Sequence, residues 1–274
     1  MTLRDYTANV ISASKVVPDG NYKDSKASGV WDINEALDLI KGGNWPNVAN
    51  INPASFVDAL FQTHLYDGNG GTQSIVNNID LSGKGGLVWA KARNIGYEHM
   101  LTDTARGTSG GYLQSDNTSA QSDGGGSPAL TAFNNNGFSL GSRNEINNGS
   151  GEFVSWTFRK QPKFFDVVTY TGNGTAGRTV AHNLGSVPGM IIVRNLANGY
   201  SWQVYHRSLA NTERIELDNT GAKTTGATTY WNSTTPSSTV FTLGTQNQVN
   251  NNGDSFVAYL FAHNDDDGGF GEPG

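Results

Sequence analysis

Apolar residues recur at every second position in short runs along this chain, and clusters of Gly, Asn and Ser separate the runs. At 87–92, Val88, Ala90 and Ala92 alternate with Leu87, Trp89 and Lys91; at 153–158, Val154, Trp156 and Phe158 alternate with Phe153, Ser155 and Thr157. Alternation bounded by turn formers predicts β-strands. At 256–261 both parities are apolar, with Val257, Tyr259 and Phe261 on one side and Phe256, Ala258 and Leu260 on the other. That predicts a central strand covered on both faces.

One segment has a different period. DINEALDLI at 32–40 carries apolar residues at 33, 36, 37 and 40, on one helical face. Asp32 and Glu35 form a capping box, and Gly42 and Gly43 end the element. These signals predict a helix over about 32–41 within an extended N-terminal arm at 1–62. A helix this short needs a surface to lie on, so the arm either anchors the chain to a partner or braces its own domain. The Asp- and Gly-rich end at 264–274 reads as a flexible tail or linker.

The runs repeat. GFSLGSRNEINNGSGEFVSWTF at 137–158 lies over VFTLGTQNQVNNNGDSFVAYLF at 240–261 with a constant offset of 103. Phe138/Phe241, Leu140/Leu243, Gly141/Gly244, Asn147/Asn250 and Phe153/Phe256 coincide. LVWAKARN at 87–94 meets MIIVRNLA at 190–197 at the same offset, YDGNG at 66–70 meets YTGNG at 170–174 at 104, and SDNT at 115–118 meets LDNT at 217–220 at 102. Four blocks in one order predict a duplication, with repeats at 63–161 and 164–263. The fold class is therefore mainly β: two tandem antiparallel β-sandwich repeats of jelly-roll or lectin-like type, preceded by the arm and its helix. A fibrous β-solenoid would repeat at a much shorter period.

Composition narrows the partners. Charged residues make up 15% of the chain and hydrophobic ones 36%, while 6 Trp, 10 Tyr and 12 Phe supply material for a core. A net charge of −6 without a Lys/Arg cluster argues against nucleic acid. No run approaches the roughly eighteen apolar residues of a membrane span, and the N-terminus lacks the order of a signal peptide. With no cysteine, disulfides, thiolate metal sites and cysteine nucleophiles are excluded, and synthesis in a reducing cytoplasm is expected.

Candidate chemistry is sparse. The five histidines, His64, His99, His182, His206 and His263, have no zinc spacing and do not recur between the repeats, so they read as structural or surface groups. No metal or cofactor is expected. A glycosidase needs two carboxylates across a groove; Asp103, Glu152, Asp166, Glu216 and Asp218 are the acids available at strand-like positions. Asp116-Asn117 and Asp218-Asn219 recur, either as turn-forming Asx residues or as calcium ligands, and Asp265-Asp266-Asp267 offers further oxygens. Carbohydrate binding by ring stacking has the clearest candidates: Tyr230, Trp231 and Asn232 in one polar stretch, and Trp202, Tyr205 and His206 in another. These rings either stack on sugars or pack the sandwich.

The stretches SGVWDINEALDLIKGGNWP at 28–46, YDGNGGTQSIVNNIDLSGKGGLVWAKAR at 66–93, HNLGSVPGMIIVRN at 182–195, YWNSTTPSSTVFTLG at 230–244 and FVAYLFAH at 256–263 resemble a family of virion structural proteins. Its members are tail-fibre-like proteins of phages of marine bacteria and cyanobacteria, with lectin-like β-sandwich repeats. The resemblance implies a non-catalytic component of the virion that contacts other virion proteins. It carries over no catalytic or binding residue. A tail-fibre component anchored by its arm, with host-surface carbohydrate as a partner, is the first expectation; a capsid decoration protein is the alternative, and a tailspike glycoside hydrolase a third. Symmetric phage appendages and exposed sheets suggest a homotrimer.

Overall fold

Alternation becomes strand pairing throughout the part of the chain that the computed structural model describes, residues 57–263 apart from 110 and 124. The expected helix at 32–41, nearly all of the arm at 1–62 and the tail at 264–274 lie outside the described residues. The fold is mainly β, with antiparallel sheets. Among the described residues no helix is long and apolar enough to cross a membrane.

The first half opens with a single helical turn, α1 (Val57–Leu60). Its larger sheet takes the order β1 (Phe61–Asp67), β8 (Glu152–Arg159), β3 (Gly86–Ala92), β4 (Met100–Asp103), β5 (Leu113–Gln114). A smaller sheet of β2 (Gln73–Val76), β7 (Gly137–Leu140) and β6 (Leu130–Asn134) covers one of its faces. The second half has a larger sheet in the order β9 (Phe165–Thr171), β15 (Ser255–Phe261), β11 (Met190–Asn195), β12 (Gln203–His206), β13 (Ile215–Glu216). A pair, β10 (Arg178–Ala181) and β14 (Val240–Leu243), covers it. Taken in chain order, the two larger sheets have one and the same strand order. One helical turn precedes the last strand of each half, α2 (Asn144–Asn147) and α3 (Asn247–Asn250).

The two larger sheets face each other across a shared core, so the described residues form four layers. Side chains of one parity on each larger sheet pack under its small sheet: Val88, Ala90 and Phe153 with Phe138 and Leu140 in the first half, Ile191, Val193 and Phe256 with Phe241 and Leu243 in the second. The other parity forms a central core, in which Leu87, Leu101 and Leu113 meet Phe165, Val167, Ile192, Trp202, Val204, Val257 and Tyr259. Burial of apolar area on both faces explains why β15 is apolar at nearly every position.

Residues that recur between the halves hold the same turns. Asn147 is fully buried; its Oδ1 accepts from Asn69 N at 3.0 Å and Gln73 Nε2 at 2.7 Å, and its Nδ2 donates to Gly71 O at 2.6 Å and Gly141 O at 2.8 Å. Asn250 accepts from Asn173 N at 2.9 Å and donates to Thr175 O at 3.0 Å and Gly244 O at 2.7 Å. Tyr66 Oη donates to Ile146 O at 2.9 Å, and Tyr170 Oη to Val249 O at 2.7 Å. Gly68 and Gly172 permit this closeness, because a Cβ there would fall 2.0 Å from Asn148 O and 2.1 Å from Asn251 O.

Candidate functional site

The six residues singled out for sugar stacking do not form a platform. Trp202, Tyr205, Tyr230 and Trp231 are buried, and protein occupies their surroundings; Asn232 and His206 are partly buried. Trp231 meets Tyr205 edge-on at 6.0 Å, and the Arg214 guanidinium lies 4.4 Å from the Tyr230 ring centre. The reason is positional. Gly244 N donates to Tyr230 O at 2.9 Å as Gly141 N donates to Ala129 O at 2.9 Å, so Tyr230-Trp231 stand where Ala129-Leu130 fill the core of the first half. Stacking on a sugar needs an exposed ring face, and here the rings are core.

Trp202 belongs to a constellation that occurs twice. Its backbone N–H donates to Asp218 Oδ1 at 2.7 Å; its ring stacks on Tyr259 at 6.3 Å and lies 5.4 Å from the Arg194 guanidinium. In the first half His99 takes the place of Trp202, Trp156 that of Tyr259, Lys91 that of Arg194 and Trp89 that of Ile192. His99 N donates to Asp116 Oδ1 at 3.1 Å, and its ring stacks on Trp156 at 6.4 Å. Asp116 and Asp218 thus hold matching turns, and Asn117 and Asn219 close them by accepting from Ser119 N at 2.8 Å and Gly221 N at 2.7 Å. Among the described residues no three His, Asp or Glu side chains gather to hold a metal ion. Asp265-Asp266-Asp267 lies outside the described residues.

The two constellations differ in what covers them. The end of β5 and the loop after it lie on the second-half site: Trp202 Nε1 donates to Gln114 O at 2.9 Å, and Arg194 Nη2 to Thr118 O at 2.7 Å and Ser119 O at 2.5 Å. Burial lowers the Arg194 pKa to about 10, which leaves it charged at neutral pH to grip those carbonyls. The first-half site has no such cover among the described residues. Trp89, His99 and Trp156 are partly buried, Thr63 is exposed, and Leu65 is 58% exposed. Trp89 Nε1 donates to His99 Nδ1 at 2.9 Å, which leaves the ring proton of the neutral imidazole on Nε2. Burial keeps His99 below its usual pKa, opposed by Asp116 and assisted by Lys91. Lys91 Nζ donates to Tyr97 O.

A polar seam reinforces the cover. Tyr259 Oη donates to Asp103 Oδ2 at 2.8 Å, and Arg106 Nε to the same oxygen at 2.6 Å. Burial first, then the Asp103 carboxylate, hold the Tyr259 phenol well above its usual pKa, so it stays a donor. Beside Arg106 lies an open cleft of about 410 Å³, bordered by Gln121 from the first half and Thr169, Leu196 and Ser255 from the second. The other acids named above are also engaged. Asp166 pairs with Lys160 at 2.9 Å, Glu216 with Arg214, and Glu152 with Arg93 at 3.4 Å.

The model of one protein family, a domain of unknown function designated DUF7483, matches residues 57–272. The chain belongs to the DUF7483 family. The DUF7483 match takes in both halves of the double sandwich together, capped and open constellations included. No curated protein matches this DUF7483 chain. Among solved structures, the crystal structure of the STIV MCP is similar at 9% identity and a TM-score of 0.21, over 74% of this chain and 85% of that one. A score that low bears on neither the fold nor the role of the DUF7483 chain.

Sequence reasoning named Trp202 and missed its open counterpart. The offset of 103 that aligns Val154 with Val257 also sets His99 against Trp202 and Lys91 against Arg194. That was the available signal: one site, two versions of the same donors.

Proposed function

We propose that this DUF7483 chain is a non-catalytic structural component of a phage virion, most simply of tail-fibre type, built from one unit copied head to tail over 63–161 and 164–263. The observation that carries the reading is the use made of its aromatic and ionisable groups. Trp202, Tyr259, Arg194, Asp103 and Arg106 clamp one half to the other, and Asn147 and Asn250 lock turns. Such groups serve scaffolding. The resemblance of the sequence blocks to virion proteins supports the same reading. The neighbours in this reading are other virion proteins and further copies of the chain, with a homotrimer as the simplest symmetric appendage. Host-surface carbohydrate remains the outward ligand class of a tail fibre, but Tyr230, Trp231, Trp202 and Tyr205 do not present it a surface. The reading is tested by purifying particles of the virus that encodes the chain on a density gradient and quantifying the protein by mass spectrometry. A fixed number of copies per particle is expected. Absence from purified particles overturns it.

A further inference from the structure

The contact between the halves is one-directional. If a two-fold axis related them, each half would lay its loop on the other's site. Among the described residues only the first half does so: its 114–121 segment rests on Trp202 and Arg194. The corresponding loop of the second half, at 216–223, is free of such a contact among the described residues. Residues 219–223 are exposed throughout, and Leu217 is 38% exposed where its counterpart Ser115 is buried at 4%. The corresponding site of the first half is left uncovered by the described residues, with Trp89, His99 and Trp156 only partly buried. Among its described residues, one chain therefore carries an unused loop and an unused site of matching kinds.

We infer that the open site on the first half receives the 216–223 loop of a second copy of this chain, so that copies associate head to tail. The donors required are in place. In the covered site an aromatic N–H and a cation grip backbone carbonyls, and the loop seats by burying the side chain at Ser115, the position of Leu217 in the second half. In the open site His99 Nε2–H corresponds to Trp202 Nε1–H, and Lys91 corresponds to Arg194. The aromatic floor continues from the existing interface, since Trp89 packs against the central core and meets Trp156 at 6.2 Å. Val257 and Tyr259, fully buried under the first half, correspond to Val154 and Trp156, which are only partly buried. A heterologous contact of this kind closes into a ring or extends into a chain, according to the rotation between copies. The inference deepens the homo-oligomer in the reading above. Its test uses isolated protein, so its failure is separable from failure to find the chain on particles.

The experiment is sedimentation velocity on the full chain and two variants, with circular dichroism to confirm that each is folded. Leu217→Lys spoils the loop, and Lys91→Glu with His99→Ala spoils the site. The wild type is expected to form oligomers, and each variant alone to associate at least roughly tenfold more weakly. Mixed, the two variants still have one intact loop and one intact site between them, so a dimer and nothing larger is expected. Val76→Lys, at an exposed position on β2, leaves assembly unchanged. A wild type that stays monomeric, or a variant mixture that stays monomeric, overturns the inference. So does a monomer whose tryptophan emission is quenched by added oligosaccharide, which would assign the open site to carbohydrate instead.

Discussion

Asn147 and Asn250 occupy one position in two copies of a turn: each is fully buried, and each donates through Nδ2 to the carbonyl of the glycine six residues before it, Gly141 at 2.8 Å and Gly244 at 2.7 Å. Each also accepts the backbone N–H of the asparagine in the loop after the first strand of its half, Asn69 or Asn173. One side chain thereby ties the loop after the first strand to the turn before the last. Replacing either by Ala leaves buried donors and acceptors unpaired, at a cost of about 3 kcal/mol. Urea unfolding of Asn147→Ala and Asn250→Ala should give similar losses in the two halves; a loss below about 1 kcal/mol in both would contradict the assignment.

The seam between halves makes a graded prediction. Tyr259→Phe removes one donor to Asp103 and is expected to cost about 2 kcal/mol. Asp103→Ala removes the carboxylate paired with the buried Arg106 guanidinium and should cost more, about 3–5 kcal/mol. The order of the two variants in thermal or chemical unfolding checks this. Equal effects would mean that the bonds Arg106 also makes, to Gln121 Oε1 and Leu101 O, are enough to hold it in place.

Two histidines set a pH dependence. His182 Nδ1 accepts from Leu184 N at 3.2 Å, as His99 Nδ1 accepts from Trp89, and burial lowers both pKa values below the ordinary value. The folded state then binds fewer protons than the unfolded state, so their contribution is complete above the unfolded pKa and declines as pH falls through it. The urea midpoint should drop between about pH 7.5 and about pH 5.5, before the carboxylates titrate. His182→Asn, which retains an acceptor, should flatten that slope; a slope unchanged in both His182→Asn and His99→Asn would contradict the prediction.

Trp231 should act as a core residue. Trp231→Ala is expected to destabilise the fold by about 3–5 kcal/mol. A variant that keeps wild-type stability while losing affinity for a glycan would restore the stacking role that burial removes.

Much of the fold was legible in the sequence because the physics is local. Period-two alternation marked β3 and β8, and the double-sided apolar pattern of 256–261 marked the strand that lies between two cores. The recurring Asn, Tyr and Gly were visible as repeats, although their bonds were not. What stayed hidden depends on how the halves meet. Trp202 and Tyr259 are buried against strands of the other half, and no spacing within 200–206 or 256–261 reports that. Tyr230-Trp231-Asn232, in a polar stretch, has the composition of an exposed stacking site; the long-range Gly244–Tyr230 bond and the packing of Trp231 on Tyr205 put its two rings in the core.

The claim that this protein is part of a virion, at its tail, is most directly tested by gold-labelled antibody against the chain, viewed on intact particles by electron microscopy. Label at the tail or its fibres is the predicted result. Label spread over the head would replace the tail-fibre reading with that of a capsid decoration protein, and particles without label would contradict the account at its root.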